Sequence, residues 1–416
     1  MAGYRLEIQE MKNINEQTTE QMQKTGYKRK IAVYTGNRSD YGLQFPILKA
    51  IAADPRLDYY LLVSGAHLKK EFGRTLQEIE ADGFKVYAQA NLDFLEDNLF
   101  STAQAIGSDI LSLSQILAEL RPDFLVVYGD RFESFAAVIA GSQMGIPIAH
   151  IEGGDYTEGG ALDDSVRHAM TKLSHLHFTT NEQAAERVRR LGEEPWRIFN
   201  AGLPVLDLIA AREFASPEEI YKHFNLDSGH PILIFTQHSV ATEFDSAAEQ
   251  VLPSLDALKA AGQEWGCQSI ITYPNDDAGG HRIMQEIEKL RIEDFPFLQV
   301  QPSLGRYFYH GILNTANACV GNSSSGIKET PAFHIPCVNI GERQRGRLRS
   351  TNVLDVGYKT EEIEQAIGRC LYDTNFLEQV KHCENPYGTG NAGVEIARVL
   401  ATIKIDLKLV QKKMTY

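Results

Sequence analysis

From Lys28 onward, short apolar runs alternate with longer segments whose apolar residues recur at helical spacing, and turn residues separate the two. That alternation is the pattern of parallel strands joined by crossover helices. A first series of strand candidates reads IAVYTG at 31–36, YLLVSG at 60–65, FLVVYG at 124–129, IPIAHI at 146–151 and LHFTT at 176–180. A second series reads ILIFTQ at 232–237, SIITYP at 269–274, FLQVQ at 297–301, ACVGNS at 318–323 and PCVNIG at 336–341. Between them, Ser216-Pro217-Glu218-Glu219 starts a helix and Gly229-His230-Pro231 breaks the chain. The expected class is α/β, with two Rossmann-like doubly wound domains facing a cleft. The first is expected over 28–205 and the second over 206–386, with a polar extension over 1–27 and a helix within 387–410 that crosses back to the first domain. Ligands of such sheets bind outside the carboxyl ends of the strands, so substrate is expected between the domains.

Composition narrows the field. A chain of 416 residues is long for one core and comfortable for two. The net charge of −14 removes the basic surface that a phosphate-backbone partner needs, so nucleic acid is excluded as a partner. Cys267, Cys319, Cys337, Cys370 and Cys383 form no metal-ligand spacing, and an odd, scattered set reads as reduced thiols. The first residues carry no apolar signal-type run, and no stretch is apolar for long enough to span a bilayer. The chain reads as a cytoplasmic protein with no membrane partner.

Polar residues follow nearly every strand candidate. Gly36-Asn37-Arg38-Ser39-Asp40-Tyr41-Gly42 opens a helix after the first strand, where backbone amides and Arg38 can hold phosphate; the plain alternative is a turn with a surface arginine. Gly321-Asn322-Ser323-Ser324-Ser325-Gly326 has the same strand–loop–helix setting. One serine suffices for a cap, and three in a row favour an anion contact. Glu329 can then accept from ribose hydroxyls. Arg343, Arg345, Arg347 and Arg349 follow the next strand, and His238 ends the first strand of the second series. The acidic residues are more telling. Gly129-Asp130-Arg131 ends one strand, Glu152-Gly153-Gly154-Asp155 ends the next, and Asp163-Asp164 opens the following helix. Carboxylates gathered in this way raise one another's pKa, so that one serves as acid while another serves as base. A magnesium site uses carboxylates too, and Asp163 or Asp164 also reads as a helix cap paired with Arg167.

At these residues the chain resembles the hydrolysing UDP-N-acetylglucosamine 2-epimerases. GNRSDYG, SGAHL with EFG, GDRFE, HIEGGD, DDSVRHAMTKLSHLHF, GNSSSGIKE and GERQRGR occur in the family's order and cover nearly everything from residue 28. The resemblance implies a GT-B-like fold, UDP contacts on Arg38, Arg131, His238, Asn275, Ser323, Ser324, Glu329 and Arg343, and catalytic acids at Asp130, Glu152 and Asp163. The loop before Asp163 is slightly longer than in several members of the family. No metal or redox cofactor is implied, and a homo-oligomer, dimer or tetramer, is. The implied reaction is anti elimination of UDP to a 2-acetamidoglycal, then hydration with inversion at C2, giving N-acetylmannosamine from UDP-N-acetylglucosamine. The same chemistry on UDP-2,4-diacetamido-2,4,6-trideoxyglucose or a GDP-sugar is the alternative, with His67 and residues 153–160 as candidate discriminators. A non-hydrolysing epimerase, a GT-B glycosyltransferase and an inactive sugar-nucleotide sensor are the rival readings.

Overall fold

The computed structural model describes residues 26–68, 75–91, 99–156, 162–240, 242–274 and 279–416. Its strands are β1 (Arg29–Thr35), β2 (Leu57–Val63), β3 (Val86–Gln89), β4 (Phe124–Tyr128), β5 (Ile148–Ile151), β6 (Leu176–Thr179) and β7 (Ile198–Asn200) in one sheet. A second sheet holds β8 (Ile232–Thr236), β9 (Gln268–Thr272), β10 (Leu298–Gln301), β11 (Ala318–Gly321), β12 (Cys337–Ile340) and β13 (Val353–Val356). The orders are β3-β2-β1-β4-β5-β6-β7 and β10-β9-β8-β11-β12-β13, and every pairing is parallel. Both sheets are therefore doubly wound, each reversing strand order beside its first strand. Parallel pairing needs a crossover between strands and covers both faces with helices. The central strands accordingly read as continuous apolar runs, and β4 and β8 are buried along their whole length.

Of the described residues, one compact unit holds those up to Asp155, Leu162–Asp207 and Asn391–Tyr416; the other holds Tyr156 and Leu208–Gly390. Each has its own core. Leu62, Leu113, Val127 and Met170 belong to the first, and Leu233, Val251, Val320 and Ile367 to the second. The Ser-Pro-Glu-Glu signal forms a reciprocal capping box. Glu219 N donates to Ser216 Oγ at 3.3 Å, and Ser216 N donates to Glu219 Oε2 at 2.8 Å, opening the helix Pro217–His223.

Helix Ala392–Thr402 returns to the first unit and packs on helix Arg38–Ala53. Its amino end is capped from far away in sequence: the Asp207 carboxylate accepts from Ala392 N at 2.8 Å and from Gly393 N at 2.7 Å. Near its carboxyl end, the buried Arg29 guanidinium donates to Leu400 O. Among the described residues no helix is long and apolar enough to cross a membrane. Of the extension expected over 1–27, residues 1–25 lie outside the described residues.

Candidate active site

Strands β4 and β5 are neighbours, with Tyr128 opposite Ile151, so Gly129-Asp130 and Glu152 leave the sheet side by side. The left-handed backbone of Gly129 (φ 69°) and of Glu152 (φ 65°) ends each strand abruptly. Such a conformation is costly for a residue with a side chain, and such outliers concentrate at functional sites. His150, fully buried on β5, holds the first turn in place: its Nε2 meets Gly129 O at 2.8 Å and its Nδ1 meets Thr171 Oγ1 at 3.2 Å. Burial pushes this imidazole down to about 3, so it is neutral, and Nε2–H is the donor to the carbonyl.

Arg167, on helix Leu162–Leu173, organises the acids. Its Nη2 donates to Asp130 Oδ2 and its Nη1 to Glu152 O at 3.4 Å, while Nη1 lies 4.0 Å from Asp155 Oδ2 and Nε 3.9 Å from Asp164 Oδ1. Burial alone would lower its pKa, but the charges of Asp130, Asp155, Glu152 and Asp164 together raise it. One fixed cation thus holds several carboxylates at one sheet edge. Within this group Asp155 and Arg167 side chains are 3% exposed, Asp164 13% and Asp130 20%, which makes Asp130 the member most open to a ligand. Asp163 sits exposed in the same first helical turn as Asp164.

A second acidic group lies around β1. Asp40 is buried against its own helix cap, where Asn37 Nδ2 donates to Asp40 Oδ2 at 2.9 Å and Asp40 N donates to Asn37 Oδ1 at 3.0 Å. Burial first, then the Glu133 charge, pushes its carboxyl well above the usual range. Arg131, half-exposed, reaches Glu133 at 3.3 Å. Asp109 is fully buried and accepts from Tyr34 Oη at 2.8 Å and Ser64 Oγ at 3.0 Å; burial pushes it up to about 7. His67 is also buried, its Nε2 3.0 Å from Thr35 Oγ1, and burial lowers it to about 4.

In the second unit, Gly321 (φ 127°) ends β11 against β8: a Cβ there would lie 2.0 Å from Thr236 O. The next residue, Asn322, clamps the backbone of His238. His238 N donates to Asn322 Oδ1 at 2.7 Å, and Asn322 Nδ2 donates to His238 O at 2.8 Å. The Asn322 carbonyl in turn accepts from Arg343 Nη1 at 3.2 Å and Gln344 Nε2 at 2.8 Å. Histidine, serine loop and arginine loop are therefore one hydrogen-bonded assembly. Burial, then Arg343, holds His238 well below its usual range, leaving a neutral imidazole beside a guanidinium. Ser325 N donates to Ser323 Oγ at 3.4 Å, and Ser324 precedes the short helix Ser325–Lys328. Glu329 is buried with its Oε2 2.9 Å from His310 Nε2. Tyr156 belongs to this unit, where Arg347 Nε donates to its carbonyl at 3.0 Å and the bare Cα of Gly346 leaves space for its ring.

The structure thus joins Asp130 with Glu152 in the first unit, and His238 with Arg343 and the Ser323–Ser324 loop in the second. Arg38 opens helix Arg38–Ala53, but its side chain, all of Asn275 and residues 157–161 lie outside the described residues. Sequence reasoning missed Asp40, Asp109, Glu133, His150 and His310. Glu133 had a signal, standing two residues after Arg131; Asp109 had one as a charge inside an apolar helical face. Among the described residues no group of histidine, cysteine and carboxylate side chains fits a metal ion, and all five cysteines are buried thiols.

Two doubly wound units, each ending its central strands in a polar assembly, define a class of α/β proteins that carry their ligand groups at the carboxyl edges of parallel sheets. Residues 49–401 match the UDP-N-acetylglucosamine 2-epimerase family. The chain is 33% identical over 388 residues, 93% of its own length and 100% of the relative's, to the UDP-N,N'-diacetylbacillosamine 2-epimerase (hydrolyzing) of Legionella pneumophila. It is 33% identical over 341 residues, 82% of its length and 86% of the relative's, to the UDP-N-acetylglucosamine 2-epimerase of Neisseria meningitidis. A crystal structure of a Neisseria meningitidis UDP-GlcNAc 2-epimerase bound to UDP-GlcNAc shares the fold, with a TM-score of 0.75 at 17% identity over 89% of this chain and 99% of that one. This chain belongs to the UDP-N-acetylglucosamine 2-epimerase family and is an enzyme of that family.

Proposed function

We propose that this enzyme is a hydrolysing 2-epimerase that converts UDP-N-acetylglucosamine and water to UDP and N-acetylmannosamine. The observation that carries the reading is the Arg167-held pairing of Asp130 with Glu152 at the ends of adjacent central strands. The C2 proton of the sugar is not acidic, so it leaves only as the C1–O bond to UDP breaks and positive charge builds at C1. Nearby carboxylates stabilise that charge. Asp130, the most open of the group, is the base assigned to C2. The C2–H electron pair forms the C1=C2 bond, and the C1–O pair departs with UDP. Water then adds hydroxyl at C1, and a proton enters C2 from the opposite face, supplied by Glu152 or Asp163 as general acid. Arg38, Arg131, His238, Asn275, Ser323, Ser324 and Arg343 bind UDP, with the cations on the diphosphate, and Glu329 binds the ribose.

A second substrate has its own support. The Legionella relative, matched over its full length, is named for UDP-N,N'-diacetylbacillosamine. Incubating the enzyme in deuterated water with UDP-N-acetylglucosamine and, separately, with its 2,4-diacetamido-2,4,6-trideoxy analogue tests both readings by proton NMR. Release of UDP with a C2-deuterated, C2-inverted free sugar is the expected result, and the faster reaction identifies the sugar. Deuterium in a sugar still attached to UDP overturns hydrolysis in favour of a non-hydrolysing epimerase.

A further inference from the structure

We propose that Lys412 is a positioning residue for the acid cluster, acting through the carboxyl end of helix Leu162–Leu173. This rests on the function proposed above. The last carbonyls of any helix have no partner within it, and a cation there also meets the negative end of the helix dipole. Here the partner comes from a distant segment. Lys412 Nζ lies 3.3 Å from Thr171 O, 2.7 Å from Lys172 O and 2.6 Å from Ser174 O, and 2.7 Å from Glu193 Oε2. Glu193 is fully enclosed and also meets Lys172 Nζ at 2.6 Å and His177 Nε2 at 2.9 Å.

The segment bearing Lys412 is itself anchored. The buried Arg197 guanidinium donates to Lys408 O at 2.6 Å, Leu409 O at 2.7 Å and His175 O at 3.1 Å. The Tyr416 ring fills the place a side chain at Gly192 would take, since a Cβ there would lie 2.3 Å from it. Position therefore passes from this anchor to the helix.

From the helix it passes to the acids through one residue. Thr171 gives its carbonyl to Lys412; its hydroxyl lies 3.0 Å from Arg167 O and 3.2 Å from His150 Nδ1, two acceptors that share its one proton. His150 holds Gly129, the neighbour of Asp130, and Arg167 holds Asp130 itself. A slide or roll of the helix moves both supports of Asp130 together. Reacting groups displaced by about 1 Å can lose on the order of a hundredfold in rate.

The ammonium faces Glu193, Lys172, His175, His177 and Arg197. Burial lowers it to about 8, with Lys172 and Arg197 adding to the lowering and Glu193 opposing it. Below that pH the clamp carries its charge and three donors; above it the charge and one donor are lost and the clamp weakens.

The test compares the full-length enzyme with Lys412→Met and Lys412→Arg, using the sugar nucleotide that the wild type turns over. Lys412→Met is expected to lower kcat about tenfold or more with KM changed less than about twofold. Lys412→Arg, which stays charged, is expected to recover most of kcat and to move the alkaline fall in kcat from near pH 8 to higher pH. A Lys412→Met enzyme that is folded by circular dichroism and has wild-type kcat overturns the proposal. So does an alkaline limb that stays in place in Lys412→Arg. Failure of the wild type to turn over either sugar nucleotide would instead count against the proposed function.

Discussion

Arg167 shows how much one side chain can decide. Its guanidinium is buried among carboxylates, and a cation removed from such a place leaves like charges facing one another in low dielectric. Arg167→Met is expected to destabilise the fold by about 3 kcal/mol, read from urea midpoints, and to remove nearly all turnover. Lysine at this position would keep the charge and lose the fork that serves Asp130 and the Glu152 carbonyl together. Asp109 makes a different prediction, about pH. Its folded pKa of about 7 lies above the unfolded value of about 4, so the folded state retains the proton longer. Stability contributed at this site is whole below about pH 4, declines as pH rises, and is fully lost above about pH 7. Asp109→Asn should flatten that decline and raise stability at pH 8 by roughly 2–4 kcal/mol, measured as urea midpoints across the range. Neither residue stood out in the sequence as a site residue. An arginine four positions after an aspartate reads as an ion pair along one helix face, and a lone aspartate on an apolar helical face names no partner. Only the fold shows that both are enclosed.

At the scale of elements, the strands that the sequence reveals are chiefly the interior ones; β10, an edge strand with one buried and three half-buried residues, is the exception. β1, β2, β4, β5, β6 and β8 to β12 all fall on the apolar runs read at the outset. β3, β7 and β13 do not, and each is an outermost strand of its sheet. Edge strands face solvent on one side, so β3 alternates half-buried and exposed residues and β13 is mostly half-buried, with no continuous apolar run to detect. Loops between strands and helices were legible for the same reason as the strands. A polar motif placed directly after a buried run must leave the sheet at its carboxyl edge, and Asp130, Glu152, His238 and Ser323 do follow β4, β5, β8 and β11 there. What it cannot supply is the clamp by which Asn322 ties two such loops together. Gly321 makes that clamp possible. Gly321→Ala would force β11 and β8 apart at the Thr236 carbonyl, and a loss of about 3 kcal/mol, seen as a lowered melting temperature, is expected together with weaker UDP binding.

For the molecule as a whole, the separation of the apolar cores of the two units implies that a ligand held by one unit protects that unit first. If the second unit holds the nucleotide, saturating UDP at about 100 times its Kd adds about 2.7 kcal/mol to that unit's stability. Hydrogen–deuterium exchange should then slow in peptides covering 236–240 and 321–329, with little change around β2 and β3. Protection confined to the first unit would contradict the assignment of His238, Ser323 and Ser324 to the nucleotide.

The route of the chain also sets an order of assembly on the ribosome. The second unit is complete once Gly390 has emerged, whereas the first, begun much earlier, still lacks helix Ala392–Thr402. Until that helix arrives, Arg29 has no Leu400 carbonyl to donate to, and the Asp207 carboxylate has no helix to cap. The half-built first unit must wait through the synthesis of the entire second one with an apolar face of helix Arg38–Ala53 uncovered. The nascent chain is therefore most open to chaperone capture during that interval, and a permuted gene that places 391–416 ahead of residue 26 would close it.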